Sequence, residues 1–360
     1  MKRLDRYIIG KFLSTFFVAI LLIILLTIAF DISEKLDGFI GKGGLKPTMN
    51  EIMMDYYINF IPYFVTLFSP LFVFISVIFF TSRMATRMEL ISILDTGTSF
   101  TRMLMPFMFS AVVIASMSWS LTNFVLPRSN EVRIGFERKY FSRVTGTAMH
   151  FHREVDPGEY VYVERFDLKT NTGTKFAYEK LVDEQLRLKI MSHTIRYDSL
   201  RSHWVLDSYI VREMDGVKEK MRKGDMMDTT FNFDPSFFKQ DLKQIEMMTN
   251  RELYAFIEDE QRKGSKFVNV YKIEKHQRNA TPFSTIILTL LAVPIASRKV
   301  RGGIGFHLAM GVALAFTYIF MQKVTTTYAV NNVLSPFTAV WLPNFLYAIV
   351  GLVLTKFAQK

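Results

Sequence analysis

Six stretches of this chain reach membrane-spanning length without a single Asp, Glu, Lys or Arg, and this feature restricts the fold more than any other. Phe12–Phe30 runs 19 residues without a charge, Tyr56–Ser82 runs 27 and Met103–Pro127 runs 25. After a long polar interval come Asn279–Ser297, Gly302–Gln322 and Val324–Thr355. About 20 apolar residues cross a ~30 Å hydrocarbon core as a helix, and a helix satisfies its own backbone polar groups in lipid. The last run exceeds one span, and Ser335-Pro336 places the start of its helix near Phe337. The reading is a membrane α-helical bundle of six transmembrane helices, three on each side of one insert. The first span lacks a small-residue cleavage site and outruns a signal-peptide core, so it is expected to be retained.

Charge suggests an orientation. Of 44 Lys and Arg, 28 lie within residues 128–278, where 25 Asp and Glu nearly balance them. Of the other sixteen, twelve would share the side of the N-terminus, including Lys11, Arg83, Arg87, Arg102, Arg298 and Lys356. Four, Lys35, Lys42, Lys46 and Lys323, would lie opposite. By the positive-inside rule both termini are expected in the cytoplasm and the insert outside it. The chain has no cysteine, which excludes disulfides, a Cys nucleophile and thiolate metal ligation.

The insert reads as strands. In EYVYVERF (Glu159–Phe166) Tyr160 and Tyr162 alternate with Val161 and Val163, the period of a half-buried strand. KIMSHTIRYD (Lys189–Asp198) and WVLDSYIVREM (Trp204–Met214) follow, and Asp215-Gly216 marks a turn. The expectation is an all-β domain of short antiparallel strands packed as a sandwich. Thr249 and Glu252 form a capping-box pattern, so a helix is expected over about 249–263, closed by Gly264. His150 and His152 are two apart, but without a third His or Cys nearby they read as ordinary strand histidines rather than a metal pair.

Catalytic and energy-coupling signatures are missing. No nucleophile elbow or His-Glu-x-x-His spacing occurs, and GFIGKGGLK (Gly38–Lys46) lacks the spacing of a nucleotide-binding phosphate loop. Ion-coupled carriers need ionisable groups at membrane depth despite their cost. Here no acid or base lies deep in a span, and His307, near the end of the fifth, reads as interfacial packing. Any work done on a cargo must be powered by another chain. Thr81–Arg102, between spans two and three, is the segment suited to receive it. Read as a helix over about 82–97, it sets Arg83 and Arg87 one turn apart and aligns Met84, Met88, Ile91 and Leu94. Gly97 then ends it. Such a helix fits either the lipid surface or a groove on a cytoplasmic protein, with Glu89 as a polar anchor.

Several motifs in order resemble one family. LDRYIIGKF at the start, RMELISILDTGTSFTRML, PRSN (Pro127–Asn130), EKHQRNATPF (Glu274–Phe283), SRKVRGG (Ser297–Gly303) and PFTAVWLPNFLY (Pro336–Tyr347) are similar to the LptF/LptG permeases of the lipopolysaccharide exporter. The resemblance spans both ends of the chain, and LDRY is closer to the LptG-like member. It implies three parts: helices 1–3 over 1–127, a periplasmic β-jellyroll-like domain over 128–275, and helices 4–6 over 276–360. It further implies a bacterial inner-membrane ABC transporter subunit that is not itself an enzyme. The implied partners are an LptB-like cytoplasmic ATPase holding ATP and Mg, a sister permease and LptC/LptA-like bridge proteins. Lipopolysaccharide is the cargo, no nucleic acid is involved, and this chain needs no cofactor. The 82–97 segment becomes the coupling helix, with Arg83, Arg87, Glu89, Leu90 and Gly97 as its working residues.

Cargo contact is expected from cations that meet anionic groups. Lys35 falls near a basic cluster of the family, although Asp31, Glu34 and Asp37 surround it. Arg133 and Arg138 lie one position from family arginines, and Arg128 extends from span three. The alternative for all four is interfacial snorkelling. Phe60, Phe64 and Phe68 make an aromatic stripe that suits acyl chains or bundle packing equally. Other functions are a lipoprotein- or macrolide-exporter-like permease and a membrane-anchored scaffold or receptor. An exposed sheet edge is expected to take β-augmentation by a partner, and crosslinking from positions around Glu159–Phe166 and Trp204–Met214 would locate which edge is open.

Overall fold

A computed structural model describes residues 3–41, 45–141, 147–182, 185–199, 201–216, 218–238, 243–265, 267–298, 300 and 303–358. Six of its helices are long and apolar enough to cross a membrane. They are α1 (Arg3–Phe39), α2 (Met49–Thr86), α4 (Phe100–Tyr140), α7 (Val268–Ala296), α8 (Gly303–Val330) and α9 (Pro336–Ala358). Three short helices complete the set: α3 (Glu89–Asp95), α5 (Gln244–Met247) and α6 (Asn250–Arg262). The chain divides into two compact units. One joins Met1–Phe141, Ile245–Tyr254 and Asn269–Lys360, and the other joins Ser142–Gln244 and Ala255–Val268.

In the helical unit, Ile8, Phe12, Phe16, Ile20 and Ile24 form the buried stripe of α1. Leu21, Leu22, Leu25 and Leu26 stay more than half exposed on its other side, as suits a surface facing lipid tails. Lipid gives apolar helices little reason to associate, so close backbone approach and interhelical hydrogen bonds carry the packing. Gly311 supplies one approach: a Cβ there would lie 2.2 Å from Cδ1 of Ile78. Prolines supply the bonds. Pro343 cannot donate to the carbonyl of Ala339, and the Thr325 hydroxyl donates to that carbonyl instead at 2.6 Å. Beside it the Tyr318 hydroxyl donates to Asn344 Oδ1 at 2.7 Å, and Asn344 Nδ2 donates to the Ala280 carbonyl at 3.2 Å, which ties α7, α8 and α9 together. Two turns widen to π geometry, Ile52–Tyr57 in α2 and Leu121–Val125 in α4. The second directly precedes Pro127, whose ring would otherwise crowd the carbonyl four residues earlier.

The second unit holds, besides the part of α6 from Ala255 onward, one antiparallel sheet whose strands follow chain order: β1 (Thr147–Asp156), β2 (Glu159–Asp167), β3 (Thr172–Val182), β4 (Gln185–Asp198), β5 (His203–Asp215) and β6 (Lys218–Thr229). The second sheet expected of a sandwich is replaced by an aromatic cover after β6. Phe238 stacks on Phe166 at 4.2 Å, Phe233 lies 5.3 Å from Trp204, and the Trp204 indole donates to the Phe233 carbonyl at 2.9 Å. Six strands with one apolar face need a single covering layer, and eight residues of Phe-rich chain suffice. Gly173 fits beneath that core because a Cβ would come within 2.9 Å of Phe166, Ile195 and Val163. Cross-strand Lys180, 2.7 Å away, and Tyr178 hold the Glu159 carboxyl below its usual range.

The capping box takes the expected form. Thr249 donates its N–H to Glu252 at 2.8 Å and its hydroxyl at 2.9 Å, which lowers that carboxyl's pKa, and Gly264 takes φ +64°. Two boundaries move. Helix α4 continues to Tyr140, so the β unit starts after Phe141 rather than at 128, and α7 begins at Val268 rather than at 276.

Candidate functional site

Two polar constellations lie in the helical unit, at opposite ends of the bundle. The near end is where α1 starts and α3 lies. The single helix expected over 82–97 is in fact two. Helix α2 ends at Thr86, Met88 adopts left-handed geometry (φ 62°), and α3 restarts at Glu89. The chain must turn from crossing the bundle to lying across its end, and one αL residue makes that corner. Arg83 and Met84 therefore belong to α2, and the apolar stripe is split. Met84 and Leu90 are buried at 2 % exposure, whereas Met88 and Ile91 are exposed.

Two clamps fix this corner to the start of the chain. Tyr7 donates to Glu89 Oε2 at 3.0 Å, and Arg102 pairs with Asp5 at 2.8 Å. Arg87 approaches Glu89 only to 4.0 Å. Gly97, at φ +83°, turns the chain toward α4, a conformation that disfavours side chains with a Cβ. Ser99 then caps α4 by accepting from the Arg102 N–H.

At the far end, Lys35 lies 2.8 Å from Asp31 and 3.6 Å from Glu137 and donates to the Tyr56 hydroxyl. Asp31 also accepts from Tyr56 at 2.9 Å and Tyr57 at 3.3 Å, both on the π turn of α2. Arg133, 7 % exposed, pairs with Glu137 at 3.1 Å and Glu246 at 3.6 Å and lies 4.4 Å over the Tyr63 ring. Arg278, 4 % exposed, donates to the carbonyls of Ile245 at 2.7 Å and Met248 at 2.8 Å and to Asn250 Oδ1 at 3.0 Å.

Beneath these groups is a cavity of about 320 Å³ between α2, α4, α7 and α8. Leu67, Leu71, Leu288 and Ile319 line its apolar part, and Asn130, Glu246, Glu274 and Arg278 its polar part. An apolar slot under a charged rim accommodates an amphiphile. No group of three metal-ligating side chains occurs among the described residues.

The sequence profile of the lipopolysaccharide export system permease LptF/LptG matches residues 6–356. The chain belongs to this family. Among individually curated proteins, none matches. LptF/LptG membership identifies a multi-pass membrane permease, a transport protein rather than an enzyme, and agrees with the helical bundle and its inserted β unit.

In this LptF/LptG permease the residues singled out from sequence have different surroundings. Arg83, Arg87 and Glu89 gather at the near end, with Leu90 beneath them in the core and Gly97 at the following turn. The six residues expected at cargo do not form one site. Lys35 and Arg133 are engaged by internal acids, and Arg128 and Arg138 are exposed on α4. Phe64 and Phe68 are half-buried in a ladder with Phe60, at 4.1 and 5.7 Å between successive rings, and neither lines the cavity. His152 stacks on Tyr160 at 5.9 Å. Sequence reasoning missed Tyr56, Tyr63 and Arg278. The signal for Arg278 is weak: it directly precedes the uncharged core of α7, at the end of the charged run EKHQR.

Proposed function

We propose that this chain is the permease subunit of an ATP-driven transporter that extracts lipopolysaccharide from the inner membrane and hands it to periplasmic β-rich bridge proteins. The family match over residues 6–356 carries this reading. Both termini and α3 then face the cytoplasm, and the β unit is periplasmic, as the distribution of basic residues favours. Lipopolysaccharide is an amphiphile, and the cavity's apolar wall of Leu67, Leu71, Leu288 and Ile319 suits its acyl chains. Arg128 and Arg138, exposed on α4, are the cations proposed to meet its phosphates. Lys35 and Arg133 instead hold the helix ends in place.

The partner ATPase binds ATP and Mg, and this chain needs no cofactor of its own. Helix α3 offers that ATPase the exposed Met88 and Ile91 with Glu89 beside them, while buried Leu90 passes force into the bundle core. A sister permease completes the pair. The bridge protein adds a strand to a sheet edge, which must be β1 or β6. Glu159–Phe166 and Trp204–Met214 lie in β2 and β5, each of which has a neighbour on both sides.

Glu89→Arg, compared with Glu89→Ala, tests the coupling role. Glu89→Arg should abolish co-purification of the ATPase or reduce coupled ATP turnover at least about ten-fold, a loss typical of one buried charged contact. Unchanged assembly and turnover in both variants would remove the coupling role.

A further inference from the structure

The near end holds a second cavity, of about 490 Å³, between α1 and α2. Its lining changes character along its length. Lys11, Arg83 and Arg87 stand at one end, next to Ser14 and Thr15, and Val18, Leu22, Ile75 and Phe79 line the other. From Lys11 to Leu22 the slot extends roughly 16 Å along α1 at the rise of an α-helix, close to the ~15 Å depth of one leaflet's hydrocarbon. Arg87 to Ile75 covers a similar distance down antiparallel α2. Val18 and Leu22 are more than half exposed, so the slot opens sideways to the lipid-facing surface. One polar group inside lacks a partner: Ser76 is 1 % exposed, and its hydroxyl makes no hydrogen bond. Serines in helices ordinarily donate to the carbonyl four residues back, as Ser110 does in α4. Lys11 and Arg83 make no ion pair among the described residues, and the one acid on the lining, Glu89, accepts from Tyr7.

We infer that this slot binds an anionic phospholipid of the surrounding leaflet, its phosphate between Lys11, Arg83 and Arg87 and one acyl chain along Val18, Leu22 and Phe79. Three cations over one acid match a phosphate diester, the slot has the length of one acyl chain, and its side opening admits a lipid without passage through water. The site differs from the cargo cavity in position and in lining. It does not depend on the proposed transport function. A lipid held here would lie against α2 where the chain turns into α3, so the headgroup would also brace Arg87 at that corner.

The test uses the full chain in nanodiscs of phosphatidylcholine containing phosphatidylglycerol, with native mass spectrometry of the lipid retained after release. Phosphatidylglycerol is expected to be retained in preference to phosphatidylcholine. Lys11→Ala and Arg83→Ala should each lower that retention about five-fold, the effect of one cation near an anionic lipid surface. Ala19→Phe, which fills the slot and leaves the cations in place, should lower it as well, and Lys323→Ala should not. A photo-crosslinking residue at Leu22, which needs no destabilising change, should label a lipid acyl chain. Equal retention of both lipids, or retention insensitive to Lys11→Ala and Arg83→Ala, would overturn the assignment. Retention unchanged by Ala19→Phe would mean the lipid is held without an acyl chain in the slot, and labelling of polypeptide alone from Leu22 would mean a partner's helix fills the slot. Either outcome would overturn the assignment.

Discussion

The guanidinium of Arg278 forks between two backbone carbonyls of the 245–250 segment, and that geometry sets what its replacement should do. Charged hydrogen bonds are worth about 1.5–3 kcal/mol each, and buried carbonyls left unpaired add to the loss. Arg278→Ala should therefore destabilise the purified protein by about 3–5 kcal/mol and expose residues 245–250 to limited proteolysis. Arg278→Lys should recover little, because one ammonium cannot reach both acceptors in the planar arrangement. Arg128→Ala, at an exposed position, should shift thermal unfolding by no more than about 0.5 kcal/mol. If the two alanine variants melt alike, the clamp assigned to Arg278 is wrong. The sequence displays Arg278 inside the charged run EKHQR, where nothing separates it from Lys275 or His276. Its acceptors are carbonyls 30 and 33 residues earlier, and backbone acceptors carry no side-chain signal. Lys35 misleads in the opposite way. A lone lysine among three acids looks available to a ligand, but Asp31 lies one helical turn away and captures it.

At the level of elements, what could be read depended on how many neighbours an element has. The six spans are evident because lipid demands an uninterrupted uncharged run, and each span appears as one helix, α8 extending past Lys323 to Val330. The 82–97 segment is not, because helical periodicity continues through Arg87-Met88, whereas the break there comes from the change of direction at the end of the bundle. The edge strands are not legible in the sequence for a related reason. Strands β2 and β5 have strong apolar alternation because both flanks are covered. Strand β6 reads KEKMRKGDMMDT, is largely exposed, and resembles a loop in composition. Its lysines are typical of an edge protected against unwanted pairing. β1 has a bulge between Glu154 and Asp156, a second protective device. Cysteine or photo-crosslinker scanning should thus capture the bridge protein from β1 or β6 positions such as His150 or Met221. Capture confined to the outward-facing positions of β3 and β4 would mean that the sheet binds its partner by a face and not by an edge.

For the molecule as a whole, the helical unit has the parts of a passive transmitter. A corner at α3 is pinned to α1 by Tyr7–Glu89 and Asp5–Arg102, and Leu90 is embedded in the same core as Phe12 and Phe107. Interhelical bonds through Asn344 join the last three spans. Motion imposed at α3 has a packed path into α1 and α2, and the far-end network of Asp31, Lys35, Tyr56 and Glu137 joins those same helices to α4. The charges in the bundle are gathered at its ends, so an ion gradient has no mid-membrane group to act on. The most direct test is lipopolysaccharide release from proteoliposomes containing this chain with its sister permease, with and without the ATPase. Release should require the ATPase and hydrolysable nucleotide, and a proton or sodium gradient should not replace them. Release by the chain under such a gradient, with no nucleotide supplied, would contradict the account.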